Sequence, residues 1–203
     1  MDDKEYDRLL GVQTAGMREW LTQSSHYNRY EATPYLALEA LFQEYDLSRE
    51  DEVVDFGSGK GRLAFYIANR FRAAVVGIEM NGQLYQEALE NKAKFEAKGS
   101  RRDPALIQFE CCRAEEYAIQ PMQNRFYFFN PFSAPVFMTV VGRILQATEN
   151  READIILYYP TDAYIEFLEM RTPFRLAKEV PVPGLFEKDE NERFLVYRKE
   201  KTE

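Results

Sequence analysis

The sequence predicts a doubly wound α/β protein with a mostly parallel sheet. Three observations carry this. From residue 52 onward, short apolar runs alternate with amphipathic stretches. The first such run leads directly into the glycine loop "GSGKG", residues 57–61. The last two apolar runs have no helical pattern between them. Strand–helix alternation implies a parallel sheet covered on both faces, and two terminal strands without a crossover helix imply an antiparallel pair at one edge.

Residues 1 to about 50 show no strand-like run and predict N-terminal helices that form a lid or cap, with a second unit over 51–203. "MREWLTQSSHYNRYEA" reads as a short helix followed by a polar, Tyr-rich connection. In "TPYLALEALFQEY", Thr33 is placed to cap a helix and Pro34 to occupy its first position. Leu38, Leu41, Phe42 and Tyr45 recur on one face. "EVVDFG" is then a buried strand, and "GRLAFYIANRF" a helix with Leu63, Tyr66, Ile67 and Phe71 inward. "AAVVGIEM" is a strand, and "NGQLYQEALENKAKFEAKG" a helix burying Leu84, Tyr85, Ala88, Leu89 and Phe95. "LIQFECC" and "RFYFFN" are strands, followed by the helix "APVFMTVVGRILQATE", the strand "DIILYYP" and the helix "TDAYIEFLEM". "FRLAKEVPV" and "RFLVYRKE", joined by "PGLFEKDENE", close the chain.

Bulk properties narrow the function. The 203 residues carry 26 Lys and Arg against 34 Asp and Glu, a net charge of −8. Such a chain does not attract a polyphosphate by its overall field, so non-specific nucleic-acid binding is disfavoured. Lys92, Lys94, Lys98, Arg101 and Arg102 form the one basic stretch, which reads as a solvated face. The two cysteines, Cys111 and Cys112, are adjacent and point to opposite sides of an extended segment, a poor structural staple. No Cys/His cluster suggests a metal. The N-terminus lacks the apolar stretch of a signal peptide and no run reaches membrane-spanning length, so a cytoplasmic setting with reduced thiols and no membrane partner is expected.

The glycine loop decides the ligand. In an open parallel sheet, ligands sit beyond the carboxyl ends of the strands where strand order reverses, and the loop after the first strand lies there. A dinucleotide fingerprint, G-x-G-x-x-G, needs a third glycine or alanine for close helix–strand packing. Here the glycines are Gly57, Gly59 and Gly61, and Arg62 stands at the third fingerprint position. Asp55, ahead of the loop, would repel a pyrophosphate and favour a cationic group. The pattern D-x-G-x-G-x-G from Asp55 through Gly57, Ser58, Gly59 and Gly61 resembles the first motif of class I, Rossmann-like S-adenosylmethionine-dependent methyltransferases. Their cofactor carries an ammonium and a sulfonium but no phosphate. The resemblance covers residues from about 52 to 200. It implies the strand order 3-2-1-4-5-7-6, with the last strand antiparallel. It also implies that Glu79, followed by Met80 at the second strand's end, takes the ribose hydroxyls, and that Ala114 and Glu115 in "CCRAEEY" meet the adenine. Lys60 and Arg62 are expected to face water.

Methyl transfer needs an aligned acceptor and excluded water, and no catalytic triad. Asn130-Pro131-Phe132 resembles the (Asp/Asn)-Pro-Pro-(Tyr/Phe) motif of amino-group methyltransferases, with one proline in place of two. The resemblance implies that Asn130 and a neighbouring carbonyl accept hydrogen bonds from an amine while Phe132 packs against it. Within the cap, Tyr27, Tyr30 and Tyr35 are expected to wall the acceptor site, and His26, the one histidine, is a candidate base. The acceptor itself, small molecule or protein, is not legible. The alternatives are a degenerate methyltransferase fold acting as a cofactor-binding or interaction module, and an NAD(P)-dependent oxidoreductase, against which Arg62 argues.

Overall fold

A computed structural model of the protein describes residues 2–16, 31–98 and 103–201. The first element is the helix α1 (Asp3–Leu10). Its start is a capping box: the Asp2 carboxylate accepts from the Glu5 N–H and the Glu5 carboxylate from that of Asp2. It ends at Gly11 in the left-handed conformation. Next comes α2 (Tyr35–Glu44). Pro34, not Thr33, is its N-cap, and no side chain caps it. The Thr33 hydroxyl instead shares a 2.7 Å hydrogen bond with the Tyr127 hydroxyl, a buried partner that a reading of local spacing does not reveal.

The sheet follows as β1 (Glu52–Phe56), β2 (Ala74–Ile78), β3 (Ile107–Glu110), β4 (Gln123–Phe129), β5 (Ala153–Tyr158), β6 (Arg175–Pro181) and β7 (Arg193–Lys199). The crossover helices are α3 (Arg62–Arg70), α4 (Gly82–Ala97), α5 (Ala134–Ala147) and α6 (Asp162–Arg171). The seven strands lie in the order β3-β2-β1-β4-β5-β7-β6, as the resemblance implied. All neighbours from β3 to β5 are parallel, and β7 runs antiparallel to both β5 and β6. Strand order reverses between β1 and β4, so the tips of those two strands flank the switch point.

Alternation along the strands divides the interior into two layers. Val53, Val75, Tyr127, Ile156 and Val196 face a cluster that includes Leu10, Leu38, Leu41, Ala64, Tyr66 and Phe95. Val54, Phe126, Phe128, Ile155 and Leu157 face Phe137, Val141, Ile144, Tyr164 and Leu168 of α5 and α6. Thus α1 and α2, from the segment expected to cap the site, pack in the same core as α3 and α4. The residues around Tyr27, Tyr30 and His26 lie outside the described residues.

At the amino ends of the strands a charge cluster joins the sheet to α2. Asp154, fully buried, accepts two 2.8 Å hydrogen bonds from Arg198, one of 2.7 Å from the Tyr45 hydroxyl, and lies 3.6 Å from Arg125. Removing the carboxylate leaves two guanidinium groups facing each other without it, so Asp154→Ala should destabilise by about 3 kcal/mol. Tyr45→Phe, which removes one hydrogen bond to a charged group, should cost about 1.5 kcal/mol. Urea unfolding of the two variants checks the ranking, and equal small losses would contradict it.

Candidate cofactor site

The carboxyl ends of β1, β2 and β4 meet around the glycine loop. Gly57, Gly59 and Gly61 all have positive φ, at 83°, 53° and 85°, where side chains are strained. Two of these positions also lack room for one. A Cβ on Gly57 would stand 2.6 Å from Cβ of Pro131, and one on Gly61 would stand 2.4 Å from the Phe109 ring. The first contact brings the loop after β1 against the turn after β4. The loop is further sewn to β2: the N–H groups of Gly57 and Ser58 donate to the Ile78 carbonyl at 2.9 and 3.0 Å.

Glu79, just past β2, reaches back under the loop. One carboxylate oxygen accepts from Gly59 N–H at 2.9 Å and the other from Asn81 N–H at 2.7 Å. Burial raises its pKa, against backbone donors at Asn81, Gly59 and Met80 that favour the charge. The two carboxylate oxygens together offer about four lone-pair sites, more than these three backbone donors use. Met80 beside it is half-buried. The Glu79 N–H donates to the Glu110 carbonyl at 3.0 Å, which brings the β3 end alongside. There Ala114 is buried against the α5 layer and Glu115, half-buried, lies 3.7 Å from Arg113.

Asp55, in β1, is 5% exposed. Burial, and secondarily the Glu79 charge, push its carboxyl up to about 8. The Ser58 hydroxyl is buried with no hydrogen-bond partner among the described residues. A buried acid and an orphaned hydroxyl at a glycine-rich loop fit a ligand that brings its own donors and a positive charge.

At the β4 tip, Asn130 has φ 39° and is half-buried. The next strand ends in the same way: Tyr159, one residue past β5, has φ 52°. Phe129 pairs with Tyr158 across β4 and β5, so Asn130 and Tyr159 are the adjacent residues leaving the sheet. Such conformations persist in non-glycine residues where surrounding structure enforces them, often at functional sites.

Four expectations need correction. The ring of Phe132 is 2% exposed and packs edge-on to Phe128 in the α5 layer, while its carbonyl accepts from the Tyr164 hydroxyl. The buried ring presents no face to an acceptor. Tyr35 is 1% exposed, stacked on Tyr6 with centroids 4.1 Å apart, and donates to Asp7 at 2.8 Å, so it belongs to the core under α1. Lys60 does not face water: it is 5% exposed and pairs with Glu87 at 3.0 Å. Arg62 is 4% exposed and bonds to Asp3, Thr14 and Thr33. Of the basic stretch, Lys92 pairs with Glu96 on the same helix, and the exposed Lys94 and Lys98 donate to Gln13 and to the Arg8 carbonyl. Arg101 and Arg102 lie outside the described residues. Cys111 and Cys112 are free thiols.

A parallel sheet with a glycine loop at its switch point and an acid at the second strand tip defines a Rossmann-like fold. Residues 34–123 match the family model described as "Methyltransferase domain". The fold is that of the class I S-adenosylmethionine-dependent methyltransferases. An RNA methyltransferase from Salinibacter ruber, solved in complex with S-adenosyl-L-homocysteine, is 20% identical, with a TM-score of 0.58 over 85% of this chain and 95% of that one. A putative RNA methyltransferase from Pyrococcus horikoshii is 15% identical, with a TM-score of 0.59 over 98% of each chain. The cyclase SpnF has the same fold at 14% identity, with a TM-score of 0.59 over 83% of this chain and 81% of that one. No curated protein matches the sequence. Among the described residues, no helix is long and apolar enough to cross a membrane, and no group of three or more His, Cys, Asp or Glu side chains could hold a metal ion.

The buried acid gives a pH test. The unfolded chain releases the Asp55 proton near pH 4, whereas the folded protein holds it to about pH 8. Folding therefore takes up a proton in that window, and this group's contribution to stability falls as pH rises through it. Asp55→Asn should flatten that decline and make the ligand-free protein more stable at pH 8 by roughly 1–3 kcal/mol. Urea unfolding at pH 5 and pH 8 measures it. A variant less stable than the parent at pH 8 would show that Asp55 is ionised and well partnered.

Proposed function

We propose that this protein is an S-adenosylmethionine-dependent methyltransferase whose acceptor binds at the β4 and β5 tips. The carrying observation is the packing of Gly57 on Pro131, which puts the cofactor loop and the Asn130 turn in direct contact. The cofactor supplies a methyl group already activated on a sulfonium. The chain's residues bind and orient. Glu79 would take the ribose hydroxyls, Asp55 would answer positive charge, and Ala114 and Glu115 would border the base. The Asn130 side-chain oxygen can accept from an acceptor N–H and so direct a nitrogen lone pair, which makes an amine the favoured acceptor. Arg62 argues against an NAD(P)-dependent oxidoreductase, since it stands where the dinucleotide fingerprint needs a small residue. The same fold in a cyclase means that the fold alone does not establish transfer.

S-adenosyl-L-homocysteine should raise the melting temperature and NAD should not. A ligand at a hundredfold excess over Kd stabilises by about 2.7 kcal/mol, a shift easily read by thermal denaturation. Glu79→Ala, with its hydrogen bonds to the ribose removed, should weaken binding at least about tenfold in titration calorimetry. Stabilisation by NAD alone would overturn the cofactor assignment.

For transfer, labelled S-adenosylmethionine is incubated with cell extract, and the labelled product gives the acceptor. Asn130→Ala should then lower kcat and kcat/KM together, with cofactor affinity unchanged. Cofactor binding without transfer to any extract fraction would identify a binding module, and normal turnover in Asn130→Ala would leave Asn130 as a strand-end turn.

A further inference from the structure

We propose that Arg62 and Asn91 are positioning residues through which the N-terminal segment, residues 2–16, braces the cofactor loop. The proposal rests on the cofactor assignment for its consequence in binding, and on geometry for the brace itself.

Three consecutive residues at the end of the loop are each tied down. Lys60 pairs with Glu87 of α4. Gly61 cannot carry a side chain because Phe109 fills the space beside it. Arg62 begins α3 and is buried, so its guanidinium must find partners, and most of them lie in the N-terminal segment. Its Nε donates to the Thr14 hydroxyl at 2.7 Å, and its Nη1 donates to the Asp3 carboxylate and to the Thr33 carbonyl at 3.1 Å. The group also lies over the Tyr35 ring, 4.6 Å from its centroid. Arg62 thus holds the described chain on both sides of residues 17–30.

Its partners are fixed in turn. Asp7, buried in α1, accepts from the Thr14 N–H at 2.6 Å, the Thr14 hydroxyl at 2.7 Å, the Ala15 N–H at 2.8 Å and the Tyr35 hydroxyl at 2.8 Å. Asn91 closes the circuit from α4. It is 2% exposed, accepts from the Gln13 N–H at 2.9 Å, and donates to the carbonyls of Gln13 and Lys60, each at 3.2 Å. One side chain therefore joins the N-terminal segment to the loop backbone. Lysine at position 62 offers a single ammonium where three acceptors in different directions are needed. Arg62 is also the residue that departs from the dinucleotide fingerprint, so the brace occupies the position where that fingerprint needs a small residue.

The test uses the full chain and compares Arg62→Lys and Asn91→Ala with Tyr45→Phe, whose lost hydrogen bond is at the opposite end of the sheet. Hydrogen exchange of the ligand-free protein is read for the peptide covering Gly57–Arg62 and for peptides from β4 and β5. S-adenosyl-L-homocysteine affinity is measured at a temperature where circular dichroism shows each variant folded. Arg62→Lys and Asn91→Ala should speed exchange in the loop peptide at least tenfold, leave β4 and β5 unchanged, and weaken binding at least tenfold. Tyr45→Phe should do neither. If Arg62→Lys does not fold, Thr14→Val, which removes one of the three acceptors, takes its place. Unchanged loop exchange in the Arg62 or Thr14 variant and in Asn91→Ala overturns the brace, as does an equal response in Tyr45→Phe. Altered loop exchange in a protein whose parent binds no S-adenosyl-L-homocysteine upholds the brace and refutes the cofactor assignment.

Discussion

The contact of Gly57 with Pro131 is the constraint on which the site depends. With no Cβ on Gly57, the loop after β1 lies directly against the turn after β4. In a sheet whose order reverses between these strands, the crevice between their tips is where a ligand can enter. The contact sets the loop directly against the turn that carries Asn130 and Pro131. Glu79 then fixes the loop's other side through the Gly59 N–H. The site is thus a backbone arrangement first and a set of side chains second.

Burial decides what those side chains can do. Burial, with the Glu79 charge nearby, makes Asp55 a poor home for a charge and pushes its carboxyl up to about 8. A positively charged ligand reverses that balance. Glu79 differs because backbone N–H groups oppose the cost of its burial. Two acids near one another thus differ in their surroundings: backbone N–H groups favour the charge on Glu79, and nothing comparable among the described residues favours it on Asp55. Asn130 and Tyr159 add a second feature: two neighbouring strands leave the sheet through residues with positive φ. That arrangement turns the chain at both strand tips beside the glycine loop.

Much of this was legible in the sequence because it depends on short-range pattern. Alternating strands and helices, the spacing of Gly57, Gly59 and Gly61, and the acid at the end of "VVGIEM" are all local signals, and the structure places them as expected. What was not legible depends on partners distant in the chain. Lys60 and Arg62 read as solvated cations because charged residues usually are, yet Glu87 and the N-terminal segment bury them. Phe132 read as an acceptor contact because its neighbours match a motif, but α5 and Tyr164 claim it for the core. Two local signals in the sequence point to such partners. Asp2 and Glu5 stand at capping-box spacing ahead of α1. Asn91 falls on the inward face of α4 with Leu84, Ala88 and Phe95, and a polar residue at an inward position marks a buried partner.

The central claim is that the loop between β1 and α3 holds S-adenosylmethionine, and a crystal structure grown with S-adenosyl-L-homocysteine tests it most directly. The account predicts the ligand beside Gly57–Gly61, its ribose hydroxyls on the Glu79 carboxylate and its sulfur facing the Asn130 turn. A ligand bound elsewhere, or a loop that does not take it up at saturating concentration, would contradict the account.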